Sequence, residues 1–157
     1  MKLSVRGPAP CDLVPVRRAI RAALRRYGLP ADAQIAVAFV ADDEMRALNA
    51  RYRGKRRVTD VLSFGQDLRG AKGEPAVDRL RRDADGGLDV GDIVISAAQA
   101  QRQARRRRQP LVREVTFLGA HGALHLLGFE DDTPTGYREM VQLGTAATDA
   151  ALAQSRR

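Results

Sequence analysis

Only two histidines occur in this 157-residue sequence, and they stand four positions apart, at 121 and 125, in the stretch HGALHLLGFEDD. At that spacing on a helix both imidazoles leave one face, a turn apart. Two nitrogens so placed can meet a single cation at about 2.0–2.1 Å each. A lone buried histidine is usually a hydrogen-bonded core residue. A pair at i and i+4, inside a run from 115 to 129 that carries no formal charge, points to a metal instead. Gly128 follows, where a left-handed backbone can end the helix sharply and turn the chain back. A residue about three positions later can then approach the same ion. Asp131 stands there, with Glu130 and Asp132 as rival oxygen donors and the register favouring Asp131.

The resulting H-x3-H-x2-G-x2-D spacing is that of the metzincin zinc motif, with Asp as the third ligand. Two nitrogens and one oxygen leave a fourth position for water, as catalytic zinc sites do. Zinc peptidases of this type place a general-base Glu directly after the first His, and this chain has Gly122 in that place. The site therefore resembles a hydrolase site that should do different chemistry. Two other stretches carry no site. The acids of DADGGLD, counted from Asp83, put Leu88 at the sixth and Val94 at the twelfth position, where a calcium loop needs Gly and Glu. GAKGEP lacks the spacing of a phosphate-binding Walker loop.

The elements that must position the histidines follow from periodicity. KLSV reads as a short strand. A helix is expected from Asp12, with Pro15 in its first turn and Val16, Ala19, Ile20, Ala23, Leu24 and Tyr27 on one face, stopped by Gly28 and Pro30. AQIAVAFVA is a strand apolar on both faces. Asp42 is expected to cap a helix carrying Met45, Leu48 and Tyr52. DVLSF (60–64) and GDIVIS (91–96) are further strands, joined by residues 65–91, expected as a long mobile surface loop. Ser96 caps a helix that runs to Arg108 and is broken by Pro110. Residues 111–127 form the histidine helix, apolar nearly all round and so buried, and residues 137–154 form the last one. The expected fold is α+β: a small mixed β-sheet of about four strands packed against helices, with the metal-binding helix central and buried, and residues 1–157 as one domain.

That length can bury about two-thirds of the unfolded surface. Cys11 is the only cysteine, so no intramolecular disulfide can form. The start of the chain is too polar and Pro-rich for a signal peptide, and the longest uncharged run is too short to span a bilayer. A soluble, cytoplasmic protein without membrane attachment is expected. Lys and Arg number 27 against 19 acids, a formal net charge of +8. The bases fall in three groups: Arg17, Arg18, Arg21, Arg25 and Arg26; then Arg51, Arg53, Lys55, Arg56 and Arg57; then Arg102 with residues 105–108. Clustered cations release phosphate counterions, which suits a polyanion such as RNA; solvated helix faces in an Arg-rich composition are the plainer alternative.

Three segments in order resemble the YbeY family of bacterial rRNA maturation endoribonucleases. Residues 121–131, HGALHLLGFED, are similar to the family signature H-G-x-L-H-L-x-G-[YF]-D-H. LNARYRGKRRVTDVLSF (48–64) is similar to its L-N-x-x-Y-R…P-T-[DN]-V-L-S-F-P segment, and GDIVIS to its G-D-[IL]-x-I strand. The resemblance spans about residues 35–140. It implies a single-strand-specific, metal-dependent endoribonuclease acting in 16S rRNA 3′-end maturation and late 70S ribosome quality control. The implied partners are single-stranded RNA, the 16S rRNA precursor, the ribosome and its assembly proteins. The family's three histidine ligands fall on His121, His125 and Asp131, implying one Zn²⁺, and its catalytic arginine falls on Arg53. The chain departs from the pattern in having Asp131 for the third histidine, and Val58 and Gly65 for two flanking prolines. Two other functions fit parts of the pattern: a zinc metallopeptidase lacking the usual base, and a non-catalytic RNA-binding ribosome-assembly factor.

Overall fold

A computed structural model describes residues 1–154. The elements in chain order are β1 (Lys2–Arg6), α1 (Val14–Arg25), β2 (Ala33–Val40), α2 (Asp42–Arg53), β3 (Val61–Gly65), α3 (Glu74–Arg79), β4 (Leu88–Ser96), α4 (Ala97–Arg106), α5 (Leu111–Leu126) and α6 (Pro134–Gln154). One four-stranded sheet has the order β1-β2-β4-β3. β1, β2 and β4 run parallel, and β3 lies antiparallel to β4 at the edge. This is the mixed sheet expected.

The apolar pattern of β2 explains the layering. Ile35, Val37 and Phe39 enter the main core with Ile20, Leu118 and Leu124, whereas Ala38 joins a smaller cluster with Met45 of α2, Leu62 and Val94. The side chains of one face thus share a core with α1 and α5, on which α6 packs, and those of the other face pack with α2. The face read from the sequence of α1 is buried, with Ala19 and Ile20 at 0% exposure. Burial of a side chain the size of Ile20 contributes about 1.5–3 kcal/mol. α5 packs against α1, α4, α6, β3 and β4, which makes it the central helix.

Several expectations are corrected. Residues 65–91 are not a free surface loop. They contain α3, and Leu68, Ala71 and Ala76 are buried in the main core. Gln66 cross-links the segment, donating from Nε2 to the carbonyls of Arg81 and Asp89 and accepting from the Arg81 amide. A helix of six residues is too short to show a period. Asp42 does not cap α2: it is the first helical residue, after Ala41, and its carboxylate takes both Arg102 nitrogens at 2.9 Å and the Ser96 hydroxyl at 3.2 Å. Ser96 does cap α4, accepting from the Gln99 amide at 3.1 Å. β4 begins at Leu88, not Gly91, α4 ends at Arg106, and α6 begins at Pro134.

Candidate metal centre

His121 and His125 project from the same face of α5, their ring centroids 4.8 Å apart and their planes at 82°. The helix then ends as the glycine suggested. Gly128 takes a left-handed φ of 83°. Its amide donates to the His125 carbonyl at 3.1 Å and the Phe129 amide to that of Leu124 at 3.2 Å, the paired bonds of a Schellman turn. A side chain at 128 would also stand 2.7 Å from the carbonyl oxygen of Ala71, so the 65–91 segment seals the turn from outside. The reversed chain delivers Asp131, whose Oδ2 lies 3.2 Å from His121 Nε2 and 3.3 Å from His125 Nε2. The ligand atoms of the three residues all lie within 4.8 Å of one another. Glu130 and Asp132 line the same groove outside that cluster.

The electrostatics favour a cation at this point. His125 Nδ1 is 2.9 Å from the Phe129 carbonyl oxygen, an acceptor only, so Nδ1 donates to it and Nε2 is the nitrogen turned to Asp131. Burial first, and then the neighbouring His125, hold the His121 imidazole below its ordinary pKa against the pull of Asp131, which favours the neutral ring that a metal needs. Burial opposes the charge on Asp131, but the two imidazoles together bring its carboxyl below the usual range, so it is anionic. Two ring nitrogens and a carboxylate oxygen that converge this closely are the donor set of a cation site. Tetrahedral ligands about 2.0–2.2 Å from zinc stand about 3.4 Å from each other, close to both Asp131 distances. His121 Nδ1 is buried without a partner, so Nε2 is that ring's one polar attachment among the described residues. The donor set fits a borderline cation such as zinc.

The cluster opens on a groove of about 700 Å³ lined by His125, Asp131, Ser63, Arg53, Lys55 and Arg69, among others. Arg53 is the last residue of α2 and is exposed. No other described residue pairs with its guanidinium. Gly54, at φ 66°, ends the helix in a left-handed turn. Asn49, only 2% exposed, donates from Nδ2 to the Arg57 carbonyl at 2.8 Å and so ties down the loop that follows. Of the three basic groups, only the second reaches the groove. The third is partly engaged elsewhere, with Arg102 on Asp42 and Arg107 on Glu114.

Gly122 faces the sheet. A Cβ there would stand 2.6 Å from Ile93 Cγ2 and 3.1 Å from Ser63 Oγ, so a general-base Glu has no room at that position. The Ser63 hydroxyl donates to the Gly122 carbonyl at 2.8 Å, fastening β3 to α5 between the histidines.

Sequence reasoning missed a buried polar chain behind the histidines. Glu114 is completely buried on α5 and accepts from Arg107 at 3.0 and 3.1 Å, from Gln109, and from Gln103 Nε2 at 2.8 Å. The same Gln103 nitrogen donates to Asp60 Oδ2 at 3.1 Å, so one amide holds two carboxylates. Glu114 and His121 are seven residues apart, the same face two turns on. That spacing was the available signal.

A family model described as endoribonuclease YbeY matches residues 14–151. The endoribonuclease YbeY of Moorella thermoacetica is 40% identical over 130 residues, covering 82% of this chain and 79% of the relative. That of Desulforamulus reducens is 40% identical over 131 residues, covering 81% and 78%. The solution structure of a Thermotoga maritima protein superposes with a TM-score of 0.64 at 20% identity, covering 99% of this chain and 92% of that one, which speaks for the fold.

Proposed function

The chain belongs to the YbeY family of endoribonucleases, and from that premise we propose that it cleaves single-stranded RNA in a metal-dependent reaction during 16S rRNA 3′-end maturation and late ribosome quality control. The observation that carries this reading is the opening of the His–His–Asp cluster and an unpaired arginine on one groove. The proposal takes the whole chain as one catalytic domain with a metzincin-like site. It acts in the cytoplasm on the rRNA precursor in company with the ribosome and its assembly proteins.

His121, His125 and Asp131 hold one Zn²⁺ on this reading, and such an ion lowers the pKa of a water toward neutrality and polarises a phosphoryl oxygen. The protein's own groups do the rest. Phe129 fixes the His125 tautomer through its carbonyl. Arg53 offers a planar fork matched to two phosphate oxygens and stabilises the charge that develops on them. Lys55 adds a second cation on the same wall. The Ser63–Gly122 bond holds the edge strand at a fixed distance from the histidine helix.

The test is cleavage of a defined single-stranded RNA by purified protein, with the same sequence as a duplex and a His121→Ala variant as controls against contaminating nuclease. Cleavage of the single strand by the wild type alone is expected. A peptidase is disfavoured by the packing at Gly122, and casein hydrolysis would reverse that. Binding of RNA without any cleavage would make the protein an assembly factor rather than an enzyme.

A further inference from the structure

The edge strand β3 separates two grooves. Ser63 and Gly65 line the one with the metal ligands, while Phe64, pointing to the opposite face, lines a second groove of about 510 Å³. The end of α2 is divided in the same way: Arg53 lines the first groove and Tyr52 the second. Adjacent helical residues point about 100° apart, so this last turn straddles the strand edge. Tyr52 is 55% exposed, high for a large ring on a folded surface. Its ring packs on Phe64 at 4.8 Å and 59°, and the Arg51 guanidinium lies 5.3 Å from its centroid.

We propose that the Tyr52–Phe64 groove is a nucleobase subsite, which takes the unpaired base next to the phosphate held at Arg53. The inference rests on the RNA-cleaving function proposed above and adds a binding element to it. Three observations identify the occupant. The two grooves flank the same strand edge and the same helical turn, with Arg53 on one and its chain neighbour Tyr52 on the other, so a chain crossing that edge can set its phosphate at Arg53 and the neighbouring base at Tyr52. The groove pairs an apolar floor of Leu48, Phe64 and Val94 with the exposed Tyr52 ring, against which the Arg51 guanidinium lies, and aromatic rings are surfaces on which bases stack irrespective of sequence. Glu44, Asp92 and Arg6 lie on its wall, where the carboxylates can accept from the amino groups of a base edge and the guanidinium can donate to its carbonyl or ring nitrogen. A base already unstacked by being single-stranded enters without the cost of breaking a duplex, which gives the fold a physical reason to prefer single strands.

Two measurements test this. In the first, oligoribonucleotides carry the fluorescent base 2-aminopurine at successive positions, and binding is followed by stacking-induced quenching, a readout that needs no catalysis. One position should quench with the wild type and not with Tyr52→Ala, while Tyr52→Phe retains the effect and Tyr52→Leu, which keeps the apolar cover, loses it. Circular dichroism checks that the variants fold. In the second, cleavage rates are compared on substrates with a single abasic position. The wild type should lose between about fivefold and a hundredfold in apparent affinity at the sensitive position, the range of one base–aromatic stack, and Tyr52→Ala should be indifferent to the same lesion. If Tyr52→Ala and the abasic lesion weaken binding independently, or if no position quenches, the subsite is overturned and the face is left to a protein partner. If quenching occurs and no substrate is cleaved, the subsite stands and the endonuclease function falls.

Discussion

Gly122 sits against Ile93, so close that a Cβ on the glycine would lie 2.6 Å from Ile93 Cγ2. Ile93 is fully buried in β4 and cannot swing away. Gly122→Ala should therefore lose more by overpacking, about 1–3 kcal/mol, than the roughly 1 kcal/mol that alanine gains over glycine in a helix. Gly122→Glu, which recreates the peptidase signature, adds a buried charge and should unfold at a clearly lower temperature still, without gaining peptidase activity. Thermal unfolding followed by circular dichroism reads both variants. An Ala variant more stable than the wild type would show that this helix can move off the sheet.

The cluster of His121, His125 and Asp131 should make stability depend on zinc. Zinc added to chelator-treated protein at about a hundred times its dissociation constant should stabilise the fold by about 2.7 kcal/mol, a rise of several degrees in Tm. Asp131→Asn replaces the anionic oxygen by a neutral amide and should need more zinc for the same rise. The double variant His121→Ala, His125→Ala should show no rise at all. Metal content of protein purified without an affinity-tag metal gives the stoichiometry directly, and one ion per chain is expected.

Metal-free protein should also lose stability on mild acidification. The His121 imidazole is held below its ordinary value, chiefly by burial, whereas in the unfolded chain it titrates near 6.5. Above about that pH neither state binds the proton and the stability is intact. Below it the unfolded chain takes up a proton that the native state refuses, so stability falls as pH drops toward the lowered folded value. Asp131, also held low, acts in the same direction at more acidic pH. Unfolding midpoints measured with chelator from pH 7 to pH 5 should decline, and His121→Asn should flatten the decline. A midpoint that rises on acidification would mean that His121 is protonated in the fold.

How much of this was legible in the sequence depended on whether a feature was local. The i, i+4 histidines, the glycine turn and the acid three residues later all belong to one helix end, and the structure brings them together as read. The burial of α5 was equally local, written in fifteen uncharged residues. What the sequence did not disclose is what depends on distant partners. Leu68 and Ala71 cover the Gly128 turn from a segment with no period of its own. Asp42 has the composition of a cap but answers to Arg102, sixty residues away. The burial of Glu114 depends on partners outside its own helix, Gln103 of α4 and Arg107 and Gln109 of the turn that follows.

RNA binding should weaken with salt, but through fewer cations than the charge clusters suggest. Arg53, Lys55 and Arg69 line the metal groove, whereas the α1 arginines line neither that groove nor the one beside it. Three phosphate contacts on a single strand, at a slope of about −0.7 each, cost about twentyfold in affinity for a fourfold rise in salt. Lys55→Ala should reduce the slope by about 0.7, while Arg21→Ala on α1 should leave it unchanged. Fluorescence anisotropy titrations at four salt concentrations suffice. An equal loss of slope in both variants would spread the RNA path over the α1 face.

Arg53 carries the most exposed part of the proposed function. It stands at the end of α2, free of ion pairs among the described residues, on the groove that His125 and Asp131 also line. Arg56, three residues on, does not line that groove. If Arg53 stabilises the phosphoryl transition state, Arg53→Ala should slow single-turnover cleavage by about two to three orders of magnitude and leave zinc content and Tm unchanged. Arg53→Lys keeps the charge but loses the two-pronged geometry, so it should recover little. Arg56→Ala should cost far less, and its effect should vanish at saturating enzyme because it acts through binding. Arg53→Ala should not be rescued that way, since a contact made only in the transition state lowers the maximal rate itself. Equal and mild effects of the two alanine variants at saturation would reduce Arg53 to one cation among several on the groove wall, and the metal cluster would then have to account for catalysis without it.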